Sequence, residues 1–272
     1  MEKVGGWHKA GWVSRQVTPF SSDSLPHGDH RSDGVVLSRR DRSPKSRECL
    51  IFMRGRGALW VGTPGAERNR FGGGTEPMTW GTFALYQSPR RLYLKSVDIA
   101  EDFLEARGSR RKLMCAVKWC RELASRLPAG HENDHLLSLL WGSMKNLAFG
   151  MNPMLLDMRF AWRWGKIWGV SPSFAQCSGC GAPLASSPAA KTSSGFFCGD
   201  CRAKRESSPD GGDVFYETLS APELEIMRMV SSLPREDFMR AEPEISDAIS
   251  SASGLEEKIE STTGWFYSFL RL

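Results

Sequence analysis

Cys49-Leu50-Ile51-Phe52-Met53, followed by Arg54-Gly55-Arg56-Gly57 and then by Leu59-Trp60-Val61, is the clearest structural signal in the chain. A five-residue β-type run, a turn with two glycines and a second β-type run describe two strands joined by a tight connection. The pattern continues on both sides. Val35-Val36-Leu37 precedes it, and Trp80-Gly81-Thr82-Phe83-Ala84-Leu85-Tyr86 and Leu92-Tyr93-Leu94 follow it, with Gly72-Gly73-Gly74 as turn material between. Five short strands over residues 34–98 predict a small barrel, and the five-stranded OB-fold is the usual nucleic-acid-binding barrel of that size.

Beyond Asp98 the period becomes helical. Leu113, Val117, Cys120, Ala124 and Leu127 fall at steps of four and three, which predicts a helix with that face inward, ending before Pro128. Leu136, Leu139, Leu140, Met144 and Leu147 mark a second helix. Leu156, Phe160, Trp164 and Ile167 mark a third, opened by Pro153 and closed by Gly169 and Pro172. Further on, Ser220-Ala221-Pro222-Glu223 reads as a capping box at the start of another. The fold class is therefore α+β and multi-domain. Residues 1–33 are expected as a poorly ordered extension, 34–98 as the barrel, 99–176 as a helical domain, 177–201 as a cysteine module and 202–272 as a C-terminal helical segment.

The composition is that of a globular chain, with 40% hydrophobic and 25% charged residues in 272. No run approaches the roughly 20 apolar residues of a membrane span, and the N-terminus lacks the apolar core of a secretory signal, so the expected location is the cytoplasm, with no membrane partner. The net charge of +5 is unevenly spread. Residues 34–98 hold 12 basic and 5 acidic side chains, whereas residues 202–272 hold 8 and 14. A basic front and an acidic rear place a polyanion-facing surface in the barrel.

Its cations, Arg39, Arg40, Arg54, Arg56, Arg68, Arg70, Arg90 and Arg91, are interleaved with Trp60, Trp80, Phe83, Tyr86 and Tyr93. Cations for phosphates beside aromatic faces for bases form the pattern of a DNA-binding groove. Taken singly, each of these residues has the plainer reading of solvated surface or barrel core.

Four of the seven cysteines form two pairs, Cys177-Ser178-Gly179-Cys180 and Cys198-Gly199-Asp200-Cys201. Two intervening residues let a tight turn aim both sulfurs at one ion, and four thiolates close a tetrahedron with no open position, so one structural Zn2+ is expected. Cys49, Cys115 and Cys120 are expected as buried thiols. His131-Glu132-Asn133-Asp134-His135 matches the HExxH pattern of zinc hydrolases by letter. Pro128 and Gly130 stand just upstream, and Asn and Asp favour caps over helix interiors, so the expected structure is a loop in which Asn133 or Asp134 caps the next helix. No phosphate-binding glycine loop or nucleophile elbow accompanies it, and the chain reads as non-enzymatic.

The order of parts, from Gly34-Val35-Val36-Leu37-Ser38-Arg39-Arg40-Asp41 through the basic strands to Leu156-Asp157-Met158-Arg159-Phe160 and the CxxC pairs, resembles the bacterial recombination mediator family RecO. That resemblance covers residues 34 to about 202. It implies a DNA repair and recombination mediator that binds single- and double-stranded DNA, anneals strands coated with single-stranded DNA-binding protein (SSB), and assists RecA loading with RecR. It further implies that Arg159 meets the acidic C-terminal tail of SSB. The chain departs from the family at Thr63-Pro64-Gly65-Ala66-Glu67-Arg68-Asn69-Arg70, where a Lys-Gly and further cations are usual, and at its apolar end, Gly264–Leu272. A zinc-ribbon RNA-binding protein or structural adaptor is the alternative reading.

Overall fold

Period-two alternation sets up the first half of the chain. The computed structural model describes residues 25–43, 46–65, 70–184, 188–207 and 215–270. Strands β1 (Gly28–Ser43), β2 (Ser46–Met53), β3 (Gly57–Gly62), β4 (Trp80–Gln87) and β5 (Leu92–Glu101) close into a barrel in the order β1-β2-β3-β5-β4, with β3 and β5 parallel. That order is the one expected of an OB-fold. Val36, Ile51, Met53, Val61, Phe83, Leu85 and Leu94 fill its interior.

The other face of β1 and β2 is also buried. Val35, Leu37, Leu50 and Phe52 join a second core together with the helices. Burial on both faces is why Cys49–Met53 reads as an unbroken apolar run rather than an alternating one.

The expected boundary at residue 34 falls inside β1. Residues Gly28–Asp33 pair with β4 along their whole length, so they belong to the barrel and not to a leader. This half of the strand is held by backbone bonds and by charge, through Arg31 to Asp98 at 2.7 Å and Lys95 to Asp29 at 2.8 Å. It carries no apolar signal for that reason. Of the expected extension, residues 1–24 lie outside the described residues.

Helices α1 (Leu104–Arg107), α2 (Arg110–Arg126), α3 (Asp134–Ala148) and α4 (Pro153–Trp168) follow. The fully buried face of α2 is Cys115, Ala116, Trp119, Cys120 and Leu123; of the expected stripe, Cys120 lies within it, while Leu113, Val117, Ala124 and Leu127 are partly buried and pack along its edge. Tryptophan at 119 sets which side turns inward, because its indole stacks on Phe160 at 5.0 Å and its Nε1 donates to Asp157 at 2.9 Å. A large buried ring orients a helix more strongly than smaller aliphatic side chains do.

A three-stranded sheet, in the order β7 (Gly195–Phe197), β6 (Ala189–Thr192), β8 (Phe215–Leu219), carries the cysteine module together with α5 (Gly199–Glu206). The C-terminal segment, expected to be wholly helical, thus contributes a strand before α6 (Ala221–Ser232), α7 (Arg235–Ser251) and α8 (Leu255–Phe269). Trp265, Phe266, Tyr267 and Leu270, in the described part of the chain's apolar end, are core. Trp265 Nε1 donates to the Thr192 carbonyl at 2.9 Å, Tyr267 donates to Asp157 at 2.7 Å, and Phe266 lies edge-on to Phe174. Lys191, almost fully buried in β6, pairs with Glu217 and donates to Ser261 and Thr262, which fastens the sheet to α8. Among the described residues no helix is long and apolar enough to cross a membrane.

Glu223 accepts from the Ser220 amide at 2.8 Å and from Lys258 at 2.6 Å. Burial pushes its pKa up, but these two donors outweigh burial and hold it below the usual carboxylate range. Glu223→Ala is expected to cost about 1 kcal/mol at neutral pH. Because the folded pKa is depressed, that stabilisation is complete above the usual range and lost as pH falls through the folded value. Thermal melts at neutral and acid pH check this, with the gap between wild type and variant closing on the acid side.

Candidate nucleic-acid interface and metal centre

Five of the barrel's cations are paired with carboxylates among the described residues. Arg39 pairs with Glu76, Arg47 with Asp41 at 2.8 Å, and Arg40 with Glu48 at 2.9 Å, in addition to Arg31–Asp98 and Lys95–Asp29. These are exposed or half-exposed pairs, each of small value to stability, but their charges are partly spent. Arg40 also lies 3.8 Å above the Trp60 ring.

Arg90 and Arg91 stand apart from this pattern. They sit in the β4–β5 turn, where Ser88 Oγ accepts both of their amides at 3.3 and 3.0 Å. The turn holds the backbone and leaves both side chains exposed, with no ion pair among the described residues. Arg70 is exposed too, 5.3 Å from the Phe71 ring, and Arg56 is half-buried in the β2–β3 turn. Arg54 is exposed on that turn, and its carbonyl accepts from Ser32 Oγ at 2.8 Å. Arg68 lies outside the described residues. The strand order brings the β4–β5 turn near the end of β3, since Gly62 is the register partner of Tyr93, whereas Arg56 sits at the opposite end of β3.

Arg159 is placed as a clamp. It is only 6% exposed, and its two terminal nitrogens donate to the carbonyls of Val230 at 2.8 Å and Leu233 at 2.7 Å. Arg163 donates to Ser231 and Leu233 beside it. These carbonyls end α6, where helix geometry leaves them without partners, and a cation suits the negative end of the helix dipole. The Arg159 guanidinium also lies 4.4 Å from the Phe238 ring of α7. Burial lowers its pKa to about 9, which leaves it charged at neutral pH. Its fork is thus occupied within the chain rather than open to a carboxylate.

The exposed cations of the helical part lie elsewhere. Arg110, Arg111 and Arg121 follow one another along α2 at helical spacing around Met114, which is 62% exposed. They line a groove of about 1140 Å³ whose opposite wall carries Glu256 and Glu260 of α8. The sequence signal for this surface was the cluster Arg110-Arg111-Lys112 with Lys118 and Arg121 one to three turns on, masked by the apolar period of the same helix.

The HExxH letters form a buttress. Asn133 Oδ1 accepts from the Leu136 amide at 3.1 Å and caps α3, while Asp134 accepts from the Gly55 amide at 2.8 Å. Gly57 lies so close to the backbone of His131 that no side chain fits there. The segment therefore joins the β2–β3 turn to α3. Among the described residues, the one cluster of three or more metal-type ligands is Cys177, Cys180, Cys198 and Cys201.

Those four sulfurs lie within 4.8 Å of one another. A tetrahedron of metal–sulfur bonds of about 2.3 Å has edges of about 3.8 Å. The Cys180 and Cys198 sulfurs are 3.8 Å apart, so the set fits a metal of that kind. The amides of Gly179 and Cys198 both point at Cys177 Sγ, at 3.3 Å each. Burial pushes that thiol up, but backbone donors from Cys180, Cys198 and Gly179 outweigh it and hold the pKa at about 6. A thiolate stabilised by backbone N–H groups is ready for a cation. Gly181 takes a φ of +75°, the left-handed angle the knuckle needs.

An OB-type barrel sharing a core with a helical part, with a four-thiol knuckle set against it, defines the chain as an α+β protein of the OB-barrel class. The chain belongs to the RecO family. The profile described as "Recombination protein O C terminal" matches residues 108–251, more than half of the chain and wholly outside the barrel. A DNA repair protein RecO of Halalkalibacterium halodurans is 23% identical over 178 residues, 64% of this chain and 70% of that protein. The namesake of Anaeromyxobacter dehalogenans is 30% identical over 178 residues, 62% of this chain and 68% of that protein. That of Syntrophobacter fumaroxidans is 23% identical over 158 residues, 57% of this chain and 63% of that protein.

Proposed function

We propose that this chain is a DNA repair and recombination mediator that binds single- and double-stranded DNA on the barrel and anneals complementary SSB-coated strands. With RecR it assists RecA loading, acting in the cytoplasm at the nucleoid and without catalysis of its own. The exposed Arg90–Arg91 turn at the barrel rim carries this reading. Cations held on a rigid turn neutralise phosphates without ordering a loop, and two strands neutralised on one surface repel each other less. We also propose that the knuckle holds one zinc ion, which when bound supplies a structural crosslink between the two CxxC turns.

For the SSB tail, the exposed cations of α2 support docking in the groove beside Met114, where an acidic, apolar-ended peptide finds both charge and an apolar surface. Arg159 then acts from behind, by holding the α6–α7 corner.

Annealing of complementary SSB-coated strands, compared with SSB lacking its tail, tests the function. Acceleration that depends on the tail is expected, and equal rates with either SSB would remove the docking step. Arg90→Ala with Arg91→Ala is expected to weaken binding to all DNA sequences alike and to lower the slope of log affinity against log salt by about 1 for each phosphate no longer neutralised. An unchanged slope takes the turn out of the interface.

A further inference from the structure

The surroundings of the seven cysteines divide them into two kinds. Cys49, Cys115 and Cys120 are buried in the two cores. Burial pushes the thiols of Cys49 and Cys120 up to about 12 and holds that of Cys115 well above its usual range. The thiolate is the reactive form of cysteine, so these three are inert toward oxidants at neutral pH. Accessible sulfur is confined to the two CxxC turns.

Within the knuckle the four are not equivalent. Cys177 is buried, and its sulfur already receives the amides of Gly179 and Cys198. Cys201 Sγ lies against the first turn, 3.1 Å from where a β-carbon at 179 would stand. Cys180 is the exposed member, and its sulfur is 3.8 Å from that of half-buried Cys198. These two come from different turns, since Cys180 closes the first CxxC and Cys198 opens the second as N-cap of α5. Each is followed by a glycine, and a β-carbon at neither Gly181 nor Gly199 would meet anything within 4 Å. Open space therefore borders both sulfurs, and a shift of about 1 Å by each brings them to disulfide distance.

We propose that Cys180 and Cys198 form an oxidative modification site that takes hydrogen peroxide and converts the knuckle from a metal-ligating form to a disulfide form. The Cys180 thiolate attacks one peroxide oxygen, the O–O bond breaks, hydroxide leaves, and Cys180 carries a sulfenic acid. The Cys198 thiolate then attacks that sulfur, the S–O bond breaks, a second hydroxide leaves, and an S–S bond forms. Two thiolates lose two electrons in all, and the peroxide gains them. Cys177 and Cys201 alone do not close a tetrahedron, so a bound zinc ion is given up. The new bond still ties the two turns together, and its exposed end lets a dithiol reverse it by exchange. Only the zinc-release arm of the test rests on the zinc reading above.

The experiment treats the full, zinc-loaded chain with hydrogen peroxide, follows zinc with a metallochromic dye and assigns the cysteines by alkylation and peptide mapping. Loss of the zinc ion together with a Cys180–Cys198 bridge is expected, with Cys49, Cys115 and Cys120 still free thiols. Dithiothreitol with added zinc is expected to restore the starting state. Cys180→Ser is expected to abolish the bridge; because that variant also loses a metal ligand, the mapping on the wild-type chain decides. Bridges formed inside each CxxC turn, oxidation that begins at Cys49, Cys115 or Cys120, or four unbridged thiols after treatment would overturn the site. A chain purified without zinc that still forms the bridge removes the zinc assignment and keeps the site. A zinc-bound chain that withstands peroxide removes the site and keeps the zinc.

Discussion

Cys177→Ser is expected to reduce bound zinc from one ion per chain to almost none and to melt the module around it. Cys177 is the buried member of the set, 3% exposed, and its sulfur receives two backbone amides in hydrogen bonds. A serine hydroxyl at neutral pH offers no thiolate, and both N–H groups lose their charged acceptor. Structural zinc contributes an apparent binding free energy on the order of 10 kcal/mol, much of it folding energy.

The loss does not stay local. The Ser178 amide donates to the Phe196 carbonyl at 2.8 Å, and Phe196 stacks on Phe174 and meets Trp265. Loosening the knuckle therefore loosens the joint between the small sheet and α8. Metal analysis of purified protein together with thermal melts decides the matter. Wild-type protein without stoichiometric zinc, or a Cys177→Ser variant that melts unchanged, would falsify the zinc assignment.

Arg159→Ala carries the second large effect, a loss of about 3 kcal/mol or more in unfolding free energy. Two charge-assisted hydrogen bonds of about 1.5–3 kcal/mol each disappear, and the buried Val230 carbonyl is deprived of the charged donor it meets. Arg163 remains on Leu233 at 2.6 Å, which limits the damage at that carbonyl. Arg159→Lys is expected to recover only part, since one ammonium cannot span the two carbonyls that the planar fork reaches. Denaturant unfolding of the three proteins measures this. If Arg159→Ala unfolds like wild type yet loses affinity for an SSB-tail peptide, the arginine touches the tail and the clamp reading is wrong. Arg111→Ala with Arg121→Ala is expected to give the opposite pattern, unchanged stability and weakened tail binding.

Local patterns are legible wherever one neighbourhood fixes the outcome. The five strands lie where the β-type runs put them, because Val36, Ile51 and Leu85 need a shared interior. Asn133 caps α3 and Glu223 caps α6 because capping is settled within one turn of chain. The first half of β1 is illegible, since its partners are the backbone of β4 and charges on β5 rather than apolar neighbours. The inward face of α2 is centred on Trp119, with the aliphatic stripe packed along its edge, because Phe160 of α4 stacks on that ring. Arg159 looks like an open cation in the linear chain because nothing near it in sequence reveals the α6 carbonyls, 71 and 74 residues away.

The strand count, the helical stretches and the four-thiol set follow from the residues alone, since period and spacing depend on neighbours along the chain. Which cations stay exposed and unneutralised follows only from the folded barrel. Arg31 meets Asp98 across 67 residues and Arg39 meets Glu76 across 37, so a basic stretch of sequence becomes a surface on which some cations are paired and others, Arg90 and Arg91 among them, stay open. Coulomb attraction depends on separation in space, which the linear order of residues does not contain until the barrel has closed.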